Sequence, residues 1–361
     1  MCKYPIGIDI DDQHIYAVQL KKNKGDVLVR GAADLLLNSE GVDAPYSEAA
    51  IASALKKIAG RGVFYGKSVV LKPPSGDMIS FPIQFELESD ESVEEAVLRI
   101  VQPLLTYPIE EAIIDFPSVH DNKGAYKATV ITMRRDQMRK YLKAMNHAGL
   151  NAEAIDVGVS SLIRLHSHIY GPIRESIVIC HIGLIHTLVS VVTSNSILAC
   201  RSIQWGVNGL IEKVATNLEL KNKKDQAQAL IMEYGLSHEP EKPAADKENY
   251  SEQGSARENI ARAVYQVTAP YIEEIIFELH KMIGYIRSEE RLSAFQGIYL
   301  YGHAFLIKSF DKYLQKRVDI PTQLVDPFSN MIVSDEYFID EKTSGQFAIS
   351  LGLALREVPW L

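Results

Sequence analysis

Apolar and polar positions along the first part of the chain predict short strands joined by tight turns. Residues 6–20 (IGIDIDDQHIYAVQL) predict two strands with a turn between them, and residues 24–37 predict a third. Residues 47–59 carry apolar side chains at helical spacing opposite two lysines, which predicts an amphipathic helix. A buried type of strand at 68–74 ends in two prolines. The order is therefore three strands, a helix and a fourth strand.

The segment from residue 78 to residue 150 has a different pattern. It predicts, in order, an alternating strand at 78–85, an acidic helix at 92–105, two strands joined by a polar turn at 121–124, and an amphipathic helix at 135–148. Gly149 supplies the C-cap of that helix. We interpret residues 76–150 as a small α+β unit inserted into the first domain.

The opening pattern returns later in the chain, which indicates an internal duplication. A strand that runs into a helix begins at Ala152, and residues 176–192 again predict strand, turn and strand. We therefore predict two halves, residues 1–170 and residues 171–361. The second half is expected to hold a helical part at about 208–292.

The rest of the second half predicts a mobile loop and a long helix. Residues 237–259 are rich in charge, proline and small polar residues, which is typical of a mobile loop. Residues 260–286 predict a long helix with a kink or a break at Pro270. A closing helix is predicted at 344–356.

Composition and charge exclude several classes of protein. The chain has 361 residues, of which 47% are hydrophobic and 23% charged, and a net charge of −8, which argues against a nucleic-acid or anionic-membrane surface. Its three cysteines, Cys2, Cys180 and Cys200, form neither a disulfide framework nor a paired metal motif. No signal peptide is recognised, and the longest apolar tract, about 17 residues, is shorter than a membrane span. We expect a cytoplasmic protein without direct membrane insertion.

Several stretches of the chain resemble the PilM family of type IV pilus assembly proteins. They are GIDI and AVQL at the start, TMRRDQMRKYLKAMNHAGLNAEAIDV in the middle, and VDPF followed by FAISLGLALR at the end. The resemblance implies an α/β fold of the actin-like (ribonuclease H-like) type, duplicated into two domains. It also implies a relocated small subdomain, as in the cell-division protein FtsA, at the inserted unit.

The resemblance implies four nucleotide-binding motifs, and the first is chemically altered here. Asp9 matches the acid that holds Mg²⁺ through water in actin-like ATPases. Glycine and serine positions of the phosphate turn are Asp11, Asp12 and Gln13, and the lysine is Tyr16. Two carboxylates near a triphosphate would each cost a few kcal/mol. A solvated acidic turn is the simplest interpretation, and a divalent cation held by the three aspartates is the alternative.

The second phosphate motif is altered in the same way. Gly183 is kept, but the acid of the family is His181, and imidazole is a poor ligand for Mg²⁺, which prefers oxygen. His181 and His186 could face one zinc ion, although histidines in such hairpins are more often core or turn residues. No metal site is predicted.

The ribose and adenine motifs have also changed. On the predicted ribose helix the carboxylate is Gln228, which could still bind a hydroxyl, and the lysine is Ile231. At the adenine turn only Gly302 is kept, between Tyr301 and His303, which we expect to fill the space of a base. The degenerate nucleotide cleft thus consists of Asp9, Asp11, Asp12, Gln13, Gly183, Gln228 and Gly302.

Three functions follow from these observations. The first is an actin-like scaffold of type IV pilus or type II secretion assembly, without catalytic residues and with lost or weakened ATP binding. The resemblance implies that it binds the cytoplasmic tail of an inner-membrane PilN-like protein, is linked to the pilus motor ATPases, and can self-associate. No cofactor is expected.

The second function is an ATP-binding member, in which ATP and Mg²⁺ control closure of the halves and so gate partner binding. The third is an actin-fold small-molecule kinase. Such a kinase needs a catalytic aspartate facing the γ-phosphate, and Asp115 and Asp156 are the candidates, although both look like strand-end residues.

Overall fold

The computed structural model describes residues 4–11, 13–23, 26–37, 47–116, 119–122, 125–194, 196–220, 223–238, 256–290, 292, 294–333 and 341–356. The first half begins with strands β1 (Ile6–Ile10), β2 (His14–Asn23) and β3 (Asp26–Leu36), helix α1 (Glu48–Ala59) and strand β4 (Ser68–Lys72). The inserted unit holds β5 (Met78–Phe85), α2 (Val93–Val101), β6 (Ala112–Asp115), β7 (Val119–Asn122) and β8 (Ala125–Arg134). The chain then returns to the first half through α3 (Arg135–His147), β9 (Asn151–Ile155) and α4 (Gly158–Tyr170).

The second half repeats this plan with a larger helical part. Its elements are β10 (Ile177–Ile182), β11 (Thr187–Val192), β12 (Ile197–Ile203), α5 (Val207–Asn217), α6 (Lys224–Glu233), α7 (Ala256–Glu290), β13 (Gly297–Gly302), α8 (Phe310–Val318) and β14 (Thr322–Leu324). The described chain ends with β15 (Met331–Val333), α9 (Glu341–Ser344) and α10 (Ala348–Ala354).

The two main sheets have the same strand order, which confirms the predicted duplication. The first sheet runs β15-β3-β2-β1-β4-β9 and the second runs β12-β11-β10-β13-β14. In each, three antiparallel strands form a meander, a fourth strand pairs in parallel with the first strand of the meander, and a fifth pairs in parallel with the fourth. Strand β15 adds a sixth strand to the first sheet. Strands β1 and β10 are buried along their whole length, so the carboxyl ends of both central strands lie inside the molecule.

The end of the chain returns to the first sheet. Strand β15 pairs in parallel with β3, and helix α10 packs against β1, β2 and α4. Helix α10 is buried throughout, so its apolar residues are part of the core beneath the first sheet. The division into residues 1–170 and 171–361 remains a prediction about folding units, and this last segment lies on the first sheet.

Three local predictions need correction. Helix α7 continues through Pro270 without a break, and it begins at Ala256, inside the predicted loop at 237–259, whose residues 239–255 lie outside the described residues. Burial of one face of the helix on the core of the second half explains why it continues. The predicted polar turn at 121–124 is partly strand, because Asp121 and Asn122 belong to β7 and pair with β8.

Candidate functional site

The centre of the cleft is an ion pair between neighbouring parallel strands. Asp9 of β1 and Lys72 of β4 are register partners, and Lys72 Nζ lies 2.8 Å from Asp9 Oδ1. Each side chain is only 2% exposed. Lys72 was not predicted as a site residue, although a lysine at the end of the buried run SVVLK was a signal for a buried partner.

The turn of the first hairpin is closed on itself and joined to the second half. The backbone N–H of Asp11 donates to the carbonyl of His14 at 2.9 Å. Gln13 is exposed, and its Oε1 accepts a hydrogen bond of 3.1 Å from Asn208 Nδ2 in helix α5. Asp12 lies outside the described residues. The cation alternative for the three aspartates therefore stays a prediction.

Tyr16 fills the space beside Asp9. Its ring is buried, and its hydroxyl donates to Gln346 Oε1 at 3.0 Å. The ring meets that of Phe347 edge-on, with centroids 5.6 Å apart, and stacks on the ring of His14. Burial, with the nearby aspartates, raises the pKa of Tyr16, so the hydroxyl stays neutral and provides no charge for a phosphate.

The second hairpin contains a buried neutral histidine. His181 is 6% exposed, and its Nε2 has no hydrogen-bond partner among the residues that the structure describes. Burial lowers its pKa to about 3. The backbone N–H of Gly183 donates to the carbonyl of His186 at 3.0 Å, so this turn is also closed on itself. Among the described residues, no group of three or more histidine, cysteine or acidic side chains could hold a metal ion.

The adenine-side turn lies against the second hairpin. Gly302 has a φ of +75°, and a Cβ there would lie 2.3 Å from the carbonyl oxygen of Ile182. His303 is buried, with Nδ1 3.3 Å from the same oxygen, and burial lowers its pKa. Tyr301 is fully buried with its hydroxyl 3.1 Å from His166 Nδ1. The two rings that flank Gly302 are therefore both packed inside the protein.

The ribose-side helix is retained as α6. Ala227 and Ile231 are fully buried in the core of the second half, and Gln228 is half-buried beside them. No hydrogen bond in the described part of the chain links Gln228 to the hairpins. The structure therefore brings together Asp9, Asp11 and Gln13 on one hairpin, and Gly183 and Gly302 at the facing strand ends, but does not join Gln228 to them by contact.

These residues do not fit a Mg²⁺–nucleotide complex in this arrangement. The carboxylate that would hold hydrated Mg²⁺ is already neutralised by Lys72. The facing acid is replaced by His181, and both turns use backbone N–H groups internally instead of directing them at a polyanion. The changes found in the sequence thus coincide at one place in the fold.

The kinase candidates both have structural partners. Asp156 is buried and forms ion pairs with Arg164 at 2.8 Å and Arg356 at 3.0 Å. Asp115 is exposed in the inserted unit and accepts a hydrogen bond from the backbone N–H of Phe116. Nothing in these contacts supports a catalytic role.

A surface groove lies where the inserted unit meets the second half. We call it the insert groove; its walls include Gln84, Lys127, Thr129, Ile197, Tyr285 and Glu290. These residues come from β5 and β8 of the inserted unit and from β12 and the end of α7 in the second half. An extended peptide would thus contact two separate parts of the protein here. No helix in the described parts of the chain is long and apolar enough to cross a bilayer.

A family model and one solved structure agree with this architecture. A family model described as "Type IV pilus assembly protein PilM" matches residues 7–358. A structure titled "PilM-PilN type IV pilus biogenesis complex" matches with a TM-score of 0.76 and 20% identity, over 99% of this chain and 100% of the other. The ethanolamine utilization protein EutJ of Carboxydothermus hydrogenoformans matches with a TM-score of 0.49 and 12% identity, over 97% of this chain and 89% of that one.

Proposed function

Since the chain belongs to the PilM family of type IV pilus assembly proteins, we propose that it is an actin-like scaffold of a pilus or related secretion apparatus. It acts at the cytoplasmic face of the inner membrane and binds the cytoplasmic tail of a PilN-type membrane protein. The observation that carries this proposal is the family match over nearly the whole chain, inserted unit included. The similar structure was solved as a complex of PilM with PilN.

The insert groove is the binding surface in this proposal. It is open on the molecular surface and combines apolar contacts from Ile197 and Tyr285 with charged groups at Lys127 and Glu290. Tyr285 is 58% exposed, and an exposed aromatic ring beside a groove is typical of a binding residue. A short extended tail would gain contacts with both walls at once.

We further propose that nucleotide binding is lost or weakened, so that the protein is no ATPase. The Lys72–Asp9 pair, the neutral His181 and the closed turns support this part. The alternative is an ATP-binding member gated by nucleotide, and the retained glycines at 183 and 302 are what favours it. Such a protein would have to break the Lys72–Asp9 pair to hold Mg²⁺ at Asp9.

Peptide binding tests the scaffold function. A labelled peptide from the N-terminal cytoplasmic tail of the PilN-type protein of the same organism is titrated with the full-length chain, and fluorescence anisotropy is recorded. We expect saturable binding that Tyr285→Ala weakens. Phe277→Ala is the matched control, because Phe277 is an equally exposed aromatic residue (63%) on the same helix outside the groove. No binding of the wild-type chain would overturn the scaffold proposal.

Calorimetric titration with Mg-ATP tests the nucleotide part separately. We expect no measurable heat of binding and no rise in melting temperature. A dissociation constant in the micromolar range would favour the nucleotide-gated alternative, while leaving the peptide result unaffected.

A further inference from the structure

The inserted unit packs around a core of its own. Ile83, Phe85 and Val130 on one face of its sheet are buried against Val97 of helix α2. The chain enters the unit after β4 and leaves it where β8 continues directly into α3. Two chain connections tie the unit to the first half, where Met133 of β8 also packs in the core. The contacts of the unit with the second half add to these.

The opposite face of the inserted sheet lies on the second half. Ser80 and Thr129 are on this face, and their hydroxyls donate to carbonyl oxygens of the edge strand β12, at Cys200 (3.3 Å) and Ile197 (3.2 Å). Both hydrogen bonds are long for O–H donors, so each holds the unit weakly. A further polar contact joins the unit to the second half at the end of α7.

The Lys127–Glu290 ion pair supplies that contact. Lys127 Nζ of β8 lies 2.7 Å from Glu290 Oε1 at the end of α7, and the side chains are only 28% and 23% exposed. The hydrogen bond to Glu290 raises the pKa of Lys127, so the lysine is charged at neutral pH. Because the pair is partly shielded from water, it holds its two elements more firmly than an exposed pair would.

We propose that Lys127 and Glu290 are a positioning pair that fixes the inserted unit against the second half and so sets the shape and affinity of the insert groove. The pair joins the two walls of the groove, and a groove held in shape binds a peptide without first having to be ordered. That the ligand of the groove is a PilN-type tail rests on the proposed function. The positioning of the inserted unit by the ion pair does not depend on it.

Charge reversal tests the pair. Lys127→Glu, Glu290→Lys and the double variant are compared by hydrogen exchange of the free protein and by tail-peptide anisotropy. In each single variant, two like charges meet, and we expect faster exchange in β12 and at the end of α7, with binding weakened roughly fivefold. In the double variant the attraction returns, and both readouts should return toward wild-type values.

Two controls separate positioning from other effects. Lys281→Glu breaks a comparable pair with Glu278 on the same helix outside the groove, and it should change neither readout. Lys127→Gln removes the charge without repulsion and covers the case that a reversal prevents folding; it should show the same changes in weaker form.

The outcomes distinguish this inference from the proposed function. Unchanged exchange in Lys127→Gln and in both reversals, or a double variant as impaired as the singles, would overturn the positioning role. Hydrogen exchange could follow the expected pattern while neither the wild-type protein nor any variant binds the peptide. In that case the proposed function fails, and the positioning role of the pair stands.

Discussion

Lys72 forms a buried ion pair with Asp9, with its Nζ 2.8 Å from the carboxylate and both side chains 2% exposed. The two residues are neighbours only because β1 and β4 pair in parallel with Asp9 opposite Lys72. The carboxylate that was predicted to hold a hydrated cation is thus half of an internal ion pair in this structure. The ion pair therefore contributes to the stability of the first half.

Removing one partner of this pair should destabilise the protein strongly. In Lys72→Met the Asp9 carboxylate stays buried without its counter-charge, and we expect a loss of about 3–5 kcal/mol in the apparent free energy of unfolding. Urea unfolding followed by circular dichroism at pH 7 measures it. The double variant Asp9→Asn/Lys72→Met removes both charges and should recover much of the loss. Equal losses in the two variants would contradict an ion pair at this site.

Replacing Gly302 should destabilise the protein, and backbone geometry alone, without a bound ligand, explains why. Gly302→Ala forces a side chain into a φ of +75° and places its Cβ 2.3 Å from the carbonyl oxygen of Ile182. Strain and overlap together should lower the free energy of unfolding by about 2 kcal/mol or more. Thermal unfolding and urea midpoints measure the change.

Gly284→Ala is the matched control for that variant. Gly284 lies inside helix α7, and a Cβ there would meet nothing within 4 Å. The variant should gain about 0.5–1 kcal/mol, because alanine has the higher helix propensity. Unchanged stability in Gly302→Ala would contradict the strain and overlap expected at this position.

Local sequence pattern was sufficient for most of the strands and helices. The hairpin strands β1, β2, β10 and β11 were found because they are short runs of apolar residues bounded by polar turns. Helix α7 was predicted to be kinked or broken at Pro270, and of these the break was wrong, because the propensity of one residue was weighed without the burial of the whole helix. Tertiary packing of the helix on the core of the second half outweighs the local effect of the proline.

The site could be predicted only in part, because its contacts join distant residues. The sequence identified Asp9 and the altered turns, but the Lys72 partner depends on strand register. The hydrogen bond between Gln13 and Asn208 spans 195 residues and depends on how the two halves face each other. Neither relation leaves a pattern within one segment of the chain.

Buried histidines should make the protein sensitive to mild acid. The pKa of His181 is about 3 in the folded protein, below its ordinary value of 6.5, because burial disfavours the charged form. Below pH 6.5 the unfolded chain binds a proton that the folded protein excludes, so stability falls as the pH is lowered toward 3. His303, whose pKa is also lowered by burial, acts in the same direction.

The contribution of His181 can be measured from how steeply the free energy of unfolding falls as the pH is lowered. Each such histidine contributes up to about 1.4 kcal/mol per pH unit once it is protonated in the unfolded chain only. The apparent free energy of unfolding, measured by urea titration from pH 7 to pH 5, should therefore fall less steeply in His181→Gln than in the wild type. His147→Gln is the control, because His147 is 67% exposed and lies on the surface. Parallel curves for His181→Gln and the wild type would show that the imidazole of His181 takes up its proton equally well in the folded protein.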